Sequence, residues 1–207
     1  MCNFSTDLQA GIATHLNNAV NNIGDYILRS KHRRFQLRDT GRNMDLDNCI
    51  TSRNNGDISL RKSDNSPIEI LSFDSLLASL AVQNTKCCDF ILGPETGRRY
   101  IVFCELTRAL ADSVQPFSIC HEKSGKYNKA YHQLEESIKW CEEQGVSFDS
   151  YPIKKAIFGW RELKPTREDT AIRNMKRFNR IPNVTRLMVL GFKFQMVRHP
   201  SIIDLDS

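Results

Sequence analysis

The chain has 207 residues, 26% charged and 40% hydrophobic, an ordinary globular composition that can bury a substantial core. It contains no run of 18 consecutive apolar residues, which speaks against a transmembrane helix, and Met-Cys-Asn-Phe-Ser-Thr-Asp at its start does not read as an export signal. Lys plus Arg number 29 against 24 Asp plus Glu, so the net charge of +5 permits a polyanionic partner without demanding one.

A cytoplasmic protein without a membrane partner is therefore expected, its seven unevenly spaced cysteines being reduced thiols. Leu8, Ile12, Leu16, Val20 and Ile23 recur at spacings of four and three and predict a helix from Asp7 to about Leu28. Residues 29–65 are polar. Arg29, Lys31, Arg33, Arg34, Arg38 and Arg42 crowd there with only Asp39 against them, a solvated face or a phosphate-contacting strip. Asn54-Asn55-Gly56-Asp57 is a turn signal, and Ile58 to Arg61 reads as a short strand.

Phe73 to Val82 predicts a buried helix, with Ile68 to Leu71 as its lead-in or a short strand. Cys87 to Leu92 and Arg99 to Leu106 are apolar runs around Gly93-Pro94-Glu95-Thr96-Gly97, which together read as a β-hairpin. Lys126 to Gln144 follows as a helix with the stripe Tyr127, Tyr131, Leu134, Ile138 and Cys141, capped by Gly145. Lys155 to Trp160 is a strand, and Thr166 to about Arg180 is a basic helix between Pro165 and Pro182. Thr185 to Val197 is one bent strand or two, with Gly191 at the bend. The order predicts an α/β or α+β fold, a small mixed central sheet flanked by helices. Residues 1–65 form an N-terminal helix and basic segment, residues 66–207 the core, in one compact unit.

Two acids break the hairpin runs: Asp89 in Cys-Cys-Asp-Phe-Ile-Leu, and Glu105 in Phe-Cys-Glu-Leu-Thr. A carboxylate in a strand core needs a cation, a hydrogen-bond partner or solvent. Folding about the Pro94–Gly97 turn makes the two acids cross-strand neighbours on one face. Like charges that close repel unless something positive lies between them, and a hard divalent cation suits the position. The bland alternative is an ion pair with Arg98, Arg99 or Arg108.

Asp89, Glu105 and Thr107 on a hairpin, followed by a helix reading Lys129-Ala130-Tyr131-His132-Gln133-Leu134, resemble the PD-(D/E)XK nuclease superfamily. The resemblance spans roughly ninety residues, from about Phe73 to Trp160. It implies a restriction-endonuclease-like core and metal-dependent hydrolysis of DNA or RNA. Asp89, Glu105 and the Leu106 carbonyl would hold Mg²⁺ or Mn²⁺. Lys129, or else Lys126, would steady the phosphate, and Gln133 would orient a phosphate or water. Glu69 or Asp74 could add a ligand. Arg33, Arg34 and Arg38, with Arg173, Lys176 and Arg177 of the basic helix, would draw in the nucleic acid.

The sequence departs from the family pattern at two places. Cys88 stands where the family has Pro, and Thr107 stands where it has Lys. Thr107 in that position favours a second reading, a nuclease-fold adaptor that binds nucleic acid or other protein subunits without cleaving. A third is a protein-interaction module whose acids are structural. The cysteines and histidines show no C-x-x-C and no regular ligand spacing for zinc, and no glycine-rich phosphate loop occurs. Trp140 and Trp160 read as core.

Overall fold

A seven-stranded mixed sheet separates two hydrophobic cores in this α+β fold. The computed structural model describes residues 4–15, 22–39, 50–51, 55–82, 86–110, 114, 117–119, 125–163, 180–182 and 186–207. Helix α1 (Phe4–His15) and a 3-10 turn (Ile23–Tyr26) lead to strands β1 (Ile27–Ser30), β2 (Arg34–Leu37), β3 (Ile50–Thr51), β4 (Ile58–Arg61) and β5 (Ile68–Ser72). Helix α2 (Phe73–Ser79) precedes β6 (Phe90–Pro94), β7 (Tyr100–Ala109) and β8 (Phe117–Ile119). Helix α3 (Lys126–Glu143) precedes β9 (Ile153–Glu162), β10 (Arg180–Pro182), β11 (Met188–Val189), β12 (Phe192–Arg198) and β13 (Ile202–Asp204).

The large sheet runs β1-β5-β6-β7-β9-β12-β11. Strands β5, β6 and β7 form an antiparallel meander, whereas β7, β9 and β12 are mutually parallel. A parallel pair needs a crossover, and α3 lies in the connection from β7 to β9. A second sheet, β13-β4-β2-β3, and the pair β10-β8 complete the strands.

Alternation along β7 decides which face each residue serves. Ile101 and Phe103 belong to the core shared with the three helices; Val102, Cys104 and Leu106 belong to the core shared with the second sheet. The helix-side core holds Leu8 and Ile12 of α1, Leu76 of α2, and Leu134 and Ile138 of α3. Phe35, Leu37, Ile58 and Leu60 fill the other. Gly159 on β9 permits this close layering, because a Cβ there would lie 2.8 Å from Leu106 Cδ2 and 2.9 Å from Ile58 Cδ1.

Several sequence expectations change. The central sheet is larger than the small one foreseen. The first helix does not continue to Leu28: Leu16 and Val20 of the expected stripe lie outside the described residues, Ile23–Tyr26 is a 3-10 turn, and Ile27 to Ser30 pair with Leu71 to Ile68 as an edge strand. Tertiary pairing there overrides the helical spacing. Residues 29–65 hold more than the strand expected at Ile58–Arg61, which is β4: β1 ends within them, and β2 and β3 lie inside them. Their strands share sheets with the rest of the chain: β1 pairs with β5, and β4 pairs with β13. Ile68 to Leu71 is strand, and Gly93 and Pro94 extend β6 instead of opening the turn. Thr185–Val197 resolves as the hairpin β11–β12, turned at Leu190 and Gly191, both with positive φ.

Most of the basic helix expected from Thr166 to Arg180 lies outside the described residues, and Arg180 itself begins β10. Arg42, Arg173, Lys176 and Arg177 also lie outside them. Trp140 and Trp160 are buried in the helix-side core. Cys87, Cys88, Cys104 and Cys141 are free thiols. Among the described residues, no helix is long and apolar enough to cross a membrane.

Candidate metal centre

The β6–β7 register pairs Phe90 with Cys104, Ile91 with Phe103 and Leu92 with Val102. One further step places Asp89, just before β6, opposite Glu105 on the helix face. Hydrogen bonds hold Asp89 there. Its backbone carbonyl accepts from Phe73 N at 2.9 Å, which ties it to the start of α2. Cys88 N donates to Ser137 Oγ of α3 at 2.8 Å, and Gln133 Nε2 donates to the Cys87 carbonyl at 3.0 Å. Residues 87–89 are thus strapped between two helices, which fixes the direction of the Asp89 side chain.

The Asp89 carboxylate, through Oδ2, accepts from Leu106 N at 2.6 Å. A strand residue's N–H and C=O face the same neighbour. The Leu106 carbonyl therefore points toward the same edge, where β6 has ended. Glu105 is only 8% exposed, and its Oε2 is buried with no hydrogen-bond partner. A buried carboxylate oxygen left alone is costly and calls for a proton or a cation.

The electrostatics agree. Burial, followed by the charges of Asp39 and Asp74, pushes the Glu105 carboxyl up to about 8; a hydrogen bond from Gln133 and the charge of Lys126 act the other way. Asp89 is raised well above the usual carboxylate range by burial first and by Glu105 next. Burial also raises Asp74, with Asp39 adding to it. The arginines offered as neutralising partners for the pair are engaged elsewhere. Arg98 pairs with Asp7, Arg99 with Asp64 and Arg108 with Asp57.

The structure places the other expected residues as follows. Thr107 is half-buried on the helix face of β7, two positions beyond Glu105. Gln133 reaches both Glu105 and the Asp89 segment. Lys129 is exposed on α3, one turn before Gln133, while Lys126 is the lysine whose charge acts on Glu105. Of the two acids offered as extra ligands, Asp74 stands near the pair. Glu69 does not: it is bound by Ser5 and by Arg29 at 2.9 Å, toward the turn end of the hairpin.

Asp39, which follows β2, is the site residue that sequence reasoning missed. Its charge acts on Asp74, Asp89 and Glu105. The only sequence signal was one acid in a basic run. Asp39 and Asp74 act through their field: among the described residues no three His, Cys, Asp or Glu side chains are grouped to hold a metal. The oxygens that fit a cation are those of Asp89, Glu105 and the Leu106 carbonyl, a hard donor set of the kind Mg²⁺ or Mn²⁺ takes with water.

The basic run is divided. Arg29 is held by Glu69 and Glu95. Arg33 and Arg34 are exposed at the start of β2, and Arg38 is half-buried at its other end beside Asp39. Five strand positions separate Arg34 from Asp39, roughly 15 Å. No protein-family model, curated protein or solved structure matches the chain.

Proposed function

We propose that the chain is a metal-dependent phosphodiester hydrolase of the PD-(D/E)XK type, acting on nucleic acid inside the cell. One observation carries the reading: the buried, unpartnered Oε2 of Glu105 facing Asp89, with the nearby arginines committed elsewhere. Asp89, Glu105 and the Leu106 carbonyl would hold Mg²⁺ or Mn²⁺. A divalent cation there supplies Lewis acidity and a more acidic bound water. Gln133 steadies the Glu105 carboxylate and the 87–89 segment together. Lys126, whose charge acts on Glu105, would supply the cation that developing phosphate charge needs, and Lys129 one turn away would extend the same patch. Thr107 can donate a hydrogen bond to a water in the site. Arg33 and Arg34 supply salt-dependent backbone contacts that carry no sequence information.

Thr107 in place of the family's Lys supports a second reading, an adaptor that keeps the fold and binds nucleic acid or protein subunits without cleavage. Labelled single- and double-stranded DNA and RNA, incubated with Mn²⁺ or chelator, separate the two. Chelator-sensitive product from wild type, abolished in Asp89→Ala and Glu105→Ala, sustains hydrolysis. Binding without product from any substrate supports the adaptor.

A further inference from the structure

Two arginines bind the Gly56–Asp57 turn, and a third lies in register with it. Asp57 is fully buried and accepts Arg108 through both oxygens, Nε to Oδ1 at 2.6 Å and Nη2 to Oδ2 at 3.3 Å. Its Oδ2 also takes the Asp39 amide at 3.0 Å. Arg161 pairs in register with Arg108 on the adjoining strand and donates Nη1 to the Gly56 carbonyl at 3.0 Å. One step past the Leu37–Ile58 pair, Arg38 comes opposite Asp57, and its Nε is buried with no hydrogen-bond partner. The carboxylates whose charges act on Arg108 are the buried Asp57 and the exposed Asp39.

A guanidinium carries five N–H donors, and Asp57 occupies two of those on Arg108. The rest emerge on a side chain that is 37% exposed, at the rim where β7 and β9 end. A buried carboxylate behind an arginine fixes its fork and lowers the entropy cost of binding an anion. The buried Arg38 Nε lacks an acceptor, which an incoming anion would provide. Phosphate suits such forks because it accepts two parallel hydrogen bonds.

We propose that Arg38, Arg108 and Arg161 form a docking point for a backbone phosphate of the nucleic-acid substrate. The inference rests on the hydrolytic reading of the acidic pair. Arg108 lies three residues beyond Glu105, about 10 Å along β7 but on the opposite face of the strand. The charge of Asp39 acts on both residues, so a nucleic-acid strand crossing the open end of β7 past Asp39 would bring a phosphate flanking the scissile one to these arginines.

The test is the salt dependence of binding, measured by fluorescence anisotropy with a labelled oligonucleotide duplex and chelator present to prevent turnover. Losing the docked phosphate altogether should lower the slope of log K against log salt by about 0.9, and removing one of its arginines should give a drop of part of that size. Arg161→Gln and Arg38→Gln should each show that drop. Arg108→Gln should show it too, although it strips a buried carboxylate of its partner and can unfold the chain. Arg161→Gln leaves no buried charge behind and keeps the test open. Arg61→Gln, whose arginine pairs with Asp204 on the second sheet, should leave the slope unchanged. Unchanged slopes in folded Arg161→Gln and Arg38→Gln, in a protein that cleaves, overturn the docking point alone. Reduced slopes in a protein that never cleaves sustain the docking point and overturn hydrolysis. A wild type that binds no nucleic acid overturns both.

Discussion

The carboxylate of Asp89 accepts the backbone amide of Leu106 at 2.6 Å, so the acid before one strand is tethered to the residue directly after Glu105 on the next. This bond brings two carboxyls and a strand carbonyl to one edge. Beside it, Glu105 Oε2 is buried without a hydrogen-bond partner. Such an arrangement is costly unless a proton or a cation shares it.

Stability without metal should fall between about pH 5 and pH 8. The Glu105 carboxyl is pushed up to about 8 in the folded chain, above its ordinary value of 4.5. Between those values the folded state keeps a proton that the unfolded state has released. Its contribution is complete below pH 4.5 and disappears as pH rises through 8, with a limiting slope of about 1.4 kcal/mol per pH unit. Asp89 shifts in the same direction. Denaturant titrations at pH 5, 6, 7 and 8 should show the decline, and Glu105→Gln should flatten much of it.

Mn²⁺ should raise the melting temperature at pH 7.5. At a hundredfold excess over its dissociation constant a bound ligand adds about 2.7 kcal/mol. For a chain of this size that is roughly 5–10 °C. Differential scanning fluorimetry should give that shift for wild type and none for Asp89→Ala.

Ser137→Ala should loosen the site from behind. Ser137 is fully buried, and its Oγ accepts the Cys88 amide at 2.8 Å. Its removal orphans a buried N–H next to Asp89, at a cost of about 1–3 kcal/mol. Chemical denaturation should record the loss, and the Mn²⁺-induced thermal shift should shrink.

Gly159→Ala should destabilise by about 1–3 kcal/mol, because its methyl group would press on Leu106 and Ile58 between the two sheets. Leu190 gives the opposite case. It is exposed and holds φ 45° in a two-residue hairpin turn, where glycine or asparagine is at ease. Leu190→Gly should stabilise the chain by about 1 kcal/mol. Denaturant midpoints of both variants are the check.

Elements with long local patterns were legible in the sequence. Lys126–Glu143 carries a helical stripe four turns long, and Gly145 follows with φ 82°. The hairpin of β6 and β7 shows aromatic and β-branched residues on both sides of a turn. Asp89 and Glu105 stood out because each is a charge in an apolar run. The strand read at Ile58–Arg61 is β4, whereas β1, β2 and β13, with three or four residues each, were not foreseen. Windows so short show no reliable period, and their stability comes from partners far away, such as Leu71 for Ile27 or Ser59 for Ile202. Asp39, Asp57 and Arg161 were invisible as site residues for the same reason. The second sheet, laid against the first, brings Asp39 near Glu105 and Asp57 against Arg108, while Arg161 meets Arg108 only through the β7–β9 pairing.

A divalent cation held jointly by Asp89 and Glu105 needs both carboxyls. Isothermal titration calorimetry with Mn²⁺ on wild type, Asp89→Asn and Glu105→Gln addresses this directly. One saturable site in wild type, abolished in both variants while their circular dichroism stays native, is the expected result. A folded wild type that binds no Mn²⁺, or a site that survives both substitutions, would contradict the account.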